Sequence, residues 1–552
     1  MHIKILSFLS FFFLIYLQAY TQVNNTKTFT RADSLRGMLT PLRTCFDVKF
    51  YHLDIKVDPA TKYIEGSNKV VFQVLEPSDK IQLDLFENLA ISKIIYKGEE
   101  LRFTREFNAV FIDFPEKLEQ GAIGEITVFY QGNPIVAEKP PWDGGFVWSK
   151  DKDGNPWVGV ACEGIGASIW WPNKDHLSDE PDSMLISTTV PKGLINVSNG
   201  RLRKRVEVDD QWTRFDWFVS YPINNYNVTI NIANYAHWRD YHINGDTLTL
   251  DYYVLPANIE KARKQFEQVK PMMQCYEEAL GKYPFYRDGF KLIETSYLGM
   301  EHQSAIAYGN RYLTGYLGTD RSGLGLDFDF IIIHETGHEW WGNNVSCADI
   351  ADMWIHESFC TYSESLYVSC IYGEDMARKY VLAQRSGIRN ISPMMGIYGV
   401  NNEGDGDMYL KGSVVLNTLR NVINNDPLWF DILKGIQKEF ALQTVYKKDI
   451  VNYINRRTGK DFYYFFDQYF GYAKIPVLEY KFEKKGRKAW LKYRWKTDEE
   501  DFRMPAKVTL SSARQMEFIY PTTDWQKIKL GVAEKDFKIN NEDFYFNKEE
   551  IK

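Results

Sequence analysis

Residues Ile331–Asn343 read IIIHETGHEWWGN. Three isoleucines ahead of His334 supply an apolar face for burial. His334 and His338 stand four apart, one helical turn, so both rings leave the same side of a helix. Glu335 lies between them and projects toward the same site. Two imidazoles at this spacing can hold one divalent cation. Of the chain's nine histidines, this is the only pair spaced i, i+4 with a glutamate after the first. Gly342 followed by Asn343 is the expected helix end.

A hydrolytic zinc site takes three protein ligands and leaves one position open. The third is expected from Asp352–Glu364, DMWIHESFCTYSE. Glu357 follows His338 after a loop and the start of a second helix. Glu364 lies two helical turns beyond Glu357 on the same face, placed to orient a ligand histidine through its free ring nitrogen. His356 adjoins Glu357 but points away on a helix, and is read as a non-ligand.

Outward from this centre the periodicity changes twice. Tyr51, Leu53, Ile55 and Val57 alternate with polar neighbours, as do Ile81, Leu83 and Leu85, with turn residues between the runs. This predicts an N-terminal antiparallel β domain over residues 32–252. Helical spacing dominates 253–475, with Pro271 bending or restarting one helix. Alternation returns at Leu478, Tyr480 and Phe482, predicting a small C-terminal β domain over 476–552. The fold class is multidomain α+β.

At 552 residues, three or four domains are expected. The formal charge of −7 makes nucleic acid or an anionic membrane surface a poor partner. Ile5–Leu17 is an apolar run after Lys4, followed by Ala19 and Thr21. It reads as a signal peptide over residues 1–21, implying export to the periplasm or beyond. No later run is long enough to span a membrane. Export allows the six cysteines to pair, with 15 connectivities open.

HE-x-x-H followed after 18 residues by Glu resembles the gluzincin metallopeptidases. HEWWGN at 338–343 and WIHESF at 354–359 are similar to blocks of the M1 aminopeptidase family in particular. The resemblance implies a thermolysin-like, mainly helical catalytic domain. It also implies one zinc ion per chain on His334, His338 and Glu357, with Glu335 as general base. Tyr297–Asn310, YLGMEHQSAIAYGN, resembles the family's amine-recognition loop, which would make Gly299, Met300 and Glu301 substrate-binding. Leu298 and His302 depart from its usual Gly and Asn. A carboxylate near the metal would hold the substrate's free ammonium by charge-assisted hydrogen bonds. Glu163–Asp175, EGIGASIWWPNKD, resembles the segment carrying the second amine anchor, here Glu163. Met408–Arg420, MYLKGSVVLNTLR, resembles the catalytic tyrosine block, with Tyr409 as oxyanion donor.

These resemblances imply a zinc aminopeptidase acting on peptides with a free N-terminus. A related zinc hydrolase (an epoxide hydrolase or an endopeptidase) and an inactive peptide-binding scaffold are the alternatives. Many family members carry a large helical C-terminal domain over the site. Only a short β region follows residue 475 here, so a more open site is expected.

Overall fold

The computed structural model describes residues 28–486 and 488–552. The expected signal peptide lies outside the described residues.

Alternating burial builds the N-terminal unit. Along Phe46–Asp58 the apolar residues Leu53, Ile55 and Val57 face inward while their polar neighbours stay partly exposed. This strand is central to an eight-stranded sheet whose order is Arg201–Glu207, Trp212–Val219, Ser183–Pro191, Phe46–Asp58, Tyr63–Val74, Ile123–Gly132, Leu89–Tyr96, Glu99–Glu100. The sheet is antiparallel except for one pair, Phe46–Asp58 with Ser183–Pro191, which runs parallel. A three-stranded and a four-stranded sheet complete the unit. Its core includes Phe72, Trp170 and Trp171, all fully buried.

The expected boundary at 252 cuts through a strand. Ala236–Asn244 and Asp246–Val254 form a hairpin. The second strand pairs in parallel with Phe290–Glu294, which pairs in parallel with Ile306–Tyr308. Gly299–Met300 closes this five-stranded sheet as its edge. Leu248, Leu250, Tyr252 and Val254 accordingly join the core of the helical region. Alternation identifies a strand but carries no information about which sheet it enters, and here the hairpin belongs to the helical unit.

Pro271 acts as expected. Helix Ile259–Gln265 passes through a single 3-10 turn, and helix Val269–Leu280 restarts with Pro271 in its first turn, where no backbone donor is needed. Cys275 on this helix is disulfide-bonded to Cys370 on helix Trp354–Tyr372. Cys45, Cys162, Cys347 and Cys360 are unbridged and buried.

The C-terminal strands form a four-stranded and a two-stranded sheet. Their buried residues Leu478, Leu491, Trp495 and Val508 belong to the same core as Phe466 and Tyr469 of the last helix. These sheets therefore sit on the helical region without an interior of their own. Among the described residues, no helix is long and apolar enough to cross a membrane.

Candidate active site

Helix Phe330–Gly337 starts at Asp329, whose carboxylate accepts the amides of Ile331 and Ile332. The helix ends at Gly337, earlier than the expected Gly342–Asn343, and His338 is its C-cap with helical dihedrals. The chain then leaves by turns, and Gly342 takes a positive φ of 120°. Because His338 keeps the helical conformation, its ring still shares a face with His334.

Helix Trp354–Tyr372 lies alongside and supplies Glu357. The Nε2 atoms of His334 and His338 are 3.3 Å apart. Oε2 of Glu357 lies 3.6 Å from the first and 3.5 Å from the second. Donors at ~2.0–2.1 Å from one tetrahedral ion stand about 3.3–3.4 Å from each other, so this triangle has the size of a single ligand set. The ring chemistry agrees. Nδ1 of His334 faces Oε1 of Glu364 at 2.7 Å, and Nδ1 of His338 faces the Trp341 carbonyl at 2.9 Å. Both acceptors require a proton on Nδ1, which leaves two bare Nε2 lone pairs pointing at each other. A cation between them resolves that contact, and two imidazoles with one carboxylate suit a zinc-type ion with an open fourth position. Glu364 is itself fixed by the Tyr380 hydroxyl, which donates to Oε2 at 2.6 Å.

Glu335 is buried beside this triangle. Burial pushes its carboxyl up, His334 and His338 pull it down, Glu301 and Glu357 push it up again, and it settles at about 7. That lies in the range useful to a general base at neutral pH. Gly299 packs against it. A methyl group added at Gly299 would lie 2.8 Å from Oε1 of Glu335 and 2.7 Å from Cγ2 of Ile331. Only glycine lets the sheet edge pass this close to the motif helix.

Met300 follows at the sheet edge, with its side chain in the N-terminal core. Glu301 comes next, and its Oε2 lies 3.4 Å from Nε2 of His338. The segment after the motif helix clamps this loop. Asn343 donates to the Glu301 carbonyl at 2.9 Å, and the Glu339 carboxylate accepts the Ser304 amide at 2.7 Å. Glu163 approaches from the N-terminal unit, its donor oxygen within 4.8 Å of one on Glu301 and of a ring nitrogen of His356. Burial and the neighbouring Glu301 and Glu357 drive the Glu163 carboxyl well above its ordinary range. Its buried Oε1 has no hydrogen-bond partner. Two crowded carboxylates of this kind are an acceptor site for a cation.

The Glu163 loop is fixed through its far end. Asp175 pairs with Arg36 at 2.6 Å and accepts the Ser168 amide at 2.9 Å. Arg36 also donates to the Ile165 carbonyl at 2.6 Å.

Tyr409 is delivered by helix Leu410–Ile423. This helix crosses Trp354–Tyr372 at Gly412, where a methyl group would run into the Ser358 side chain. Ser358 also donates to the Met408 carbonyl at 2.7 Å, which ties the turn before Tyr409 to the ligand helix. The Tyr409 hydroxyl donates to Oε1 of Glu357 at 2.8 Å, leaving Oε2 to face the imidazoles. His334, Glu335, His338, Glu357, Glu364, Gly299, Met300, Glu301, Glu163 and Tyr409 line one cavity of about 1030 Å³, with Pro141 and Trp142 also on its wall.

The geometry thus brings together His334, Glu335, His338, Glu357, Glu364, Glu301, Glu163, Gly299, Met300 and Tyr409. His356 stays out of the ligand triangle, as expected, and sequence reasoning missed Tyr226 and the part His356 plays beside it. Tyr226 meets Glu301 and His356 meets Tyr226 across long sequence separations, and no local spacing signals it. His302, next to Glu301 in the chain, is fully buried with neither ring nitrogen bonded, and burial pushes its pKa down to about 3, so it is a neutral interior residue.

Comparison with known proteins agrees with this centre. Residues 264–469 match the peptidase family M1 domain. The chain carries a peptidase family M1 domain. This M1 domain holds the motif helix, the ligand helix and Tyr409. The chain is 22% identical over 392 residues to a leucyl aminopeptidase of Saccharolobus solfataricus, covering 68% of this chain and 47% of that one. It is 25% identical over 261 residues to human glutamyl aminopeptidase, covering 44% and 27%. It is 22% identical over 442 residues to a leukotriene A-4 hydrolase of Xenopus laevis, covering 74% and 68%. The chain therefore spans about half or less of the first two relatives. A crystal structure of an M1 zinc metallopeptidase from Deinococcus radiodurans superposes with a TM-score of 0.63 at 20% identity, covering 75% of this chain and 91% of that one. The fold around the M1 domain is thus shared with a solved metallopeptidase.

Proposed function

We propose that the chain is a zinc-dependent aminopeptidase that removes N-terminal residues from peptides. The observation that carries this reading is the juxtaposition of two sites. A triangle of two bare imidazole nitrogens and one carboxylate oxygen, 3.3–3.6 Å on each side, stands beside the carboxylates of the buried Glu301 and the half-buried Glu163. The relatives named as aminopeptidases support the same reading.

His334, His338 and Glu357 would hold the zinc ion, which when bound supplies Lewis-acid polarisation of an adjacent water and of the scissile carbonyl. Glu335 accepts the water proton and returns it to the leaving amine. The Tyr409 hydroxyl donates a hydrogen bond to the oxyanion as charge builds there. Glu301 and Glu163 bind the substrate ammonium, which fixes the first peptide bond over Glu335 and leaves later bonds out of reach. Glu364 holds His334 in the tautomer that frees Nε2.

Export before action is part of the proposal. It draws support from the apolar run Ile5–Leu17 and from the Cys275–Cys370 disulfide, a bond that persists in oxidising compartments. The test of the activity is a matched pair of peptides, one with a free N-terminus and one N-acetylated. Sequential release of residues from the free peptide alone supports the aminopeptidase. Internal cleavage of both would favour an endopeptidase and overturn it.

A further inference from the structure

Tyr226 lies in a short 3-10 turn of the N-terminal unit, far in sequence from the M1 domain's motifs, yet its ring is buried against them. Its hydroxyl lies 2.6 Å from Oε1 of Glu301 and 3.3 Å from Nδ1 of His356. The other ring nitrogen of His356, Nε2, lies 2.7 Å from the backbone nitrogen of Cys347. A backbone N–H can only donate, so Nε2 of His356 must be the acceptor. The proton of the neutral ring is then on Nδ1, which donates to the Tyr226 oxygen. With that oxygen already accepting, the Tyr226 proton is directed onto Glu301. The chain of donors runs one way, from the Cys347 amide through His356 and Tyr226 to the Glu301 carboxylate. The Tyr226 and His356 rings lie nearly parallel, 29° between their planes, so their mutual orientation is fixed by packing.

The direction matters because Glu301 has two competing neighbours. Its Oε2 is 3.4 Å from Nε2 of His338, close enough for the carboxylate to turn toward the metal ligands, and Glu163 crowds it from the other side. A donor aimed at Oε1 pins one oxygen and fixes the plane of the carboxylate, so that its remaining acceptor positions are held for an ammonium. We propose that Tyr226 and His356 are positioning residues that hold the Glu301 carboxylate in place as the amine anchor, acting through a one-way hydrogen-bond relay fed by the Cys347 amide.

This inference rests on the aminopeptidase reading, and the test separates the two. The full-length protein is loaded with zinc, and inhibition constants are measured for a pair of hydroxamates. One is an α-amino acid hydroxamate and the other is its des-amino analogue, so that only the first offers an ammonium. Wild type is expected to bind the amino compound more tightly, and Glu301→Gln to lose that preference. Tyr226→Phe, which removes a single oxygen, is expected to weaken the amino compound by ~10-fold or more, the scale of a hydrogen bond to a charged group, while leaving the des-amino compound unchanged. His356→Leu is expected to act in the same direction. His356→Asn, whose amide can present an N–H near the Nδ1 position, is expected to restore much of the loss. Zinc content and melting temperature of each variant exclude a global effect. A preference in Tyr226→Phe and His356→Leu equal to wild type, with Glu301→Gln still defective, overturns the relay alone. Wild type binding both compounds equally overturns the aminopeptidase reading and the relay with it. Should Tyr226→Phe fail to fold, the contrast between His356→Leu and His356→Asn decides the question.

Discussion

Nδ1 of His334 and Oε1 of Glu364 stand 2.7 Å apart, and this contact sets the chemistry of the neighbouring Nε2. With Nδ1–H donating to Glu364, the opposite nitrogen of the neutral ring can only be a lone-pair donor to a metal. Glu364→Ala is expected to keep the fold but to lower zinc affinity by 10–100-fold, the usual cost of losing such a partner. Competition with a chelator of known affinity measures this. Unchanged affinity would remove the orienting role.

Tyr409 meets Glu357 through its hydroxyl, so it sits at the ligand triangle without being part of it. Tyr409→Phe is expected to lower kcat by ~100-fold or more, with KM and zinc content nearly unchanged. Steady-state kinetics on an aminoacyl anilide decide it. Wild-type kcat in the variant would take Tyr409 out of the reaction.

Gly299 is required by a close approach. Gly299→Ala places a carbon 2.8 Å from the Glu335 carboxylate, so that either the sheet edge or the base must move. Turnover is expected to fall at least ~10-fold while zinc stays bound, because small displacements of a base are costly. Full activity in Gly299→Ala would show that the sheet edge can retreat freely.

Outside the cavity lining, Glu277 on helix Val269–Leu280 gives a pH signature. Burial would raise its carboxyl. Hydrogen bonds from His242 at 2.8 Å, the Tyr283 amide at 2.9 Å, Asn244 at 2.7 Å and Tyr286 at 3.0 Å outweigh that and hold it down at about 2. A carboxyl depressed on folding contributes stability above its unfolded value of 4.5, and that contribution fades as pH falls toward 2. Glu277→Gln should therefore melt below wild type at pH 7, with the gap closing below pH 4.5. A gap that stays constant between pH 7 and pH 3 contradicts this account.

The chemistry was legible where it is local. His334, Glu335 and His338 share one helical turn, Glu357 and Glu364 share one face of the next helix, and spacing alone aligns such residues. The strand pattern of Phe46–Asp58 was readable for the same reason. Contacts made by folding were not. The hairpin over 236–254 alternates like the strands before it, but enters the sheet of Phe290–Glu294. Six cysteines left the Cys275–Cys370 pairing open until two helices were seen side by side. Tyr226 and His356, separated by 130 residues, meet only because the N-terminal unit packs onto the ligand helix. The end of the motif helix was misread because Gly342 is a good stop residue, while the chain already leaves the helix after His338 and Gly342 serves a later turn at positive φ.

The central claim is that His334, His338 and Glu357 converge on one catalytic metal ion. Elemental analysis of the purified chain, paired with activity before and after chelation, tests it most directly. The account predicts one zinc per chain, loss of metal and activity together on chelation, recovery of both on adding zinc, and Glu335→Ala holding its zinc while inactive. A chain that remains fully active after its metal has been stripped would contradict it.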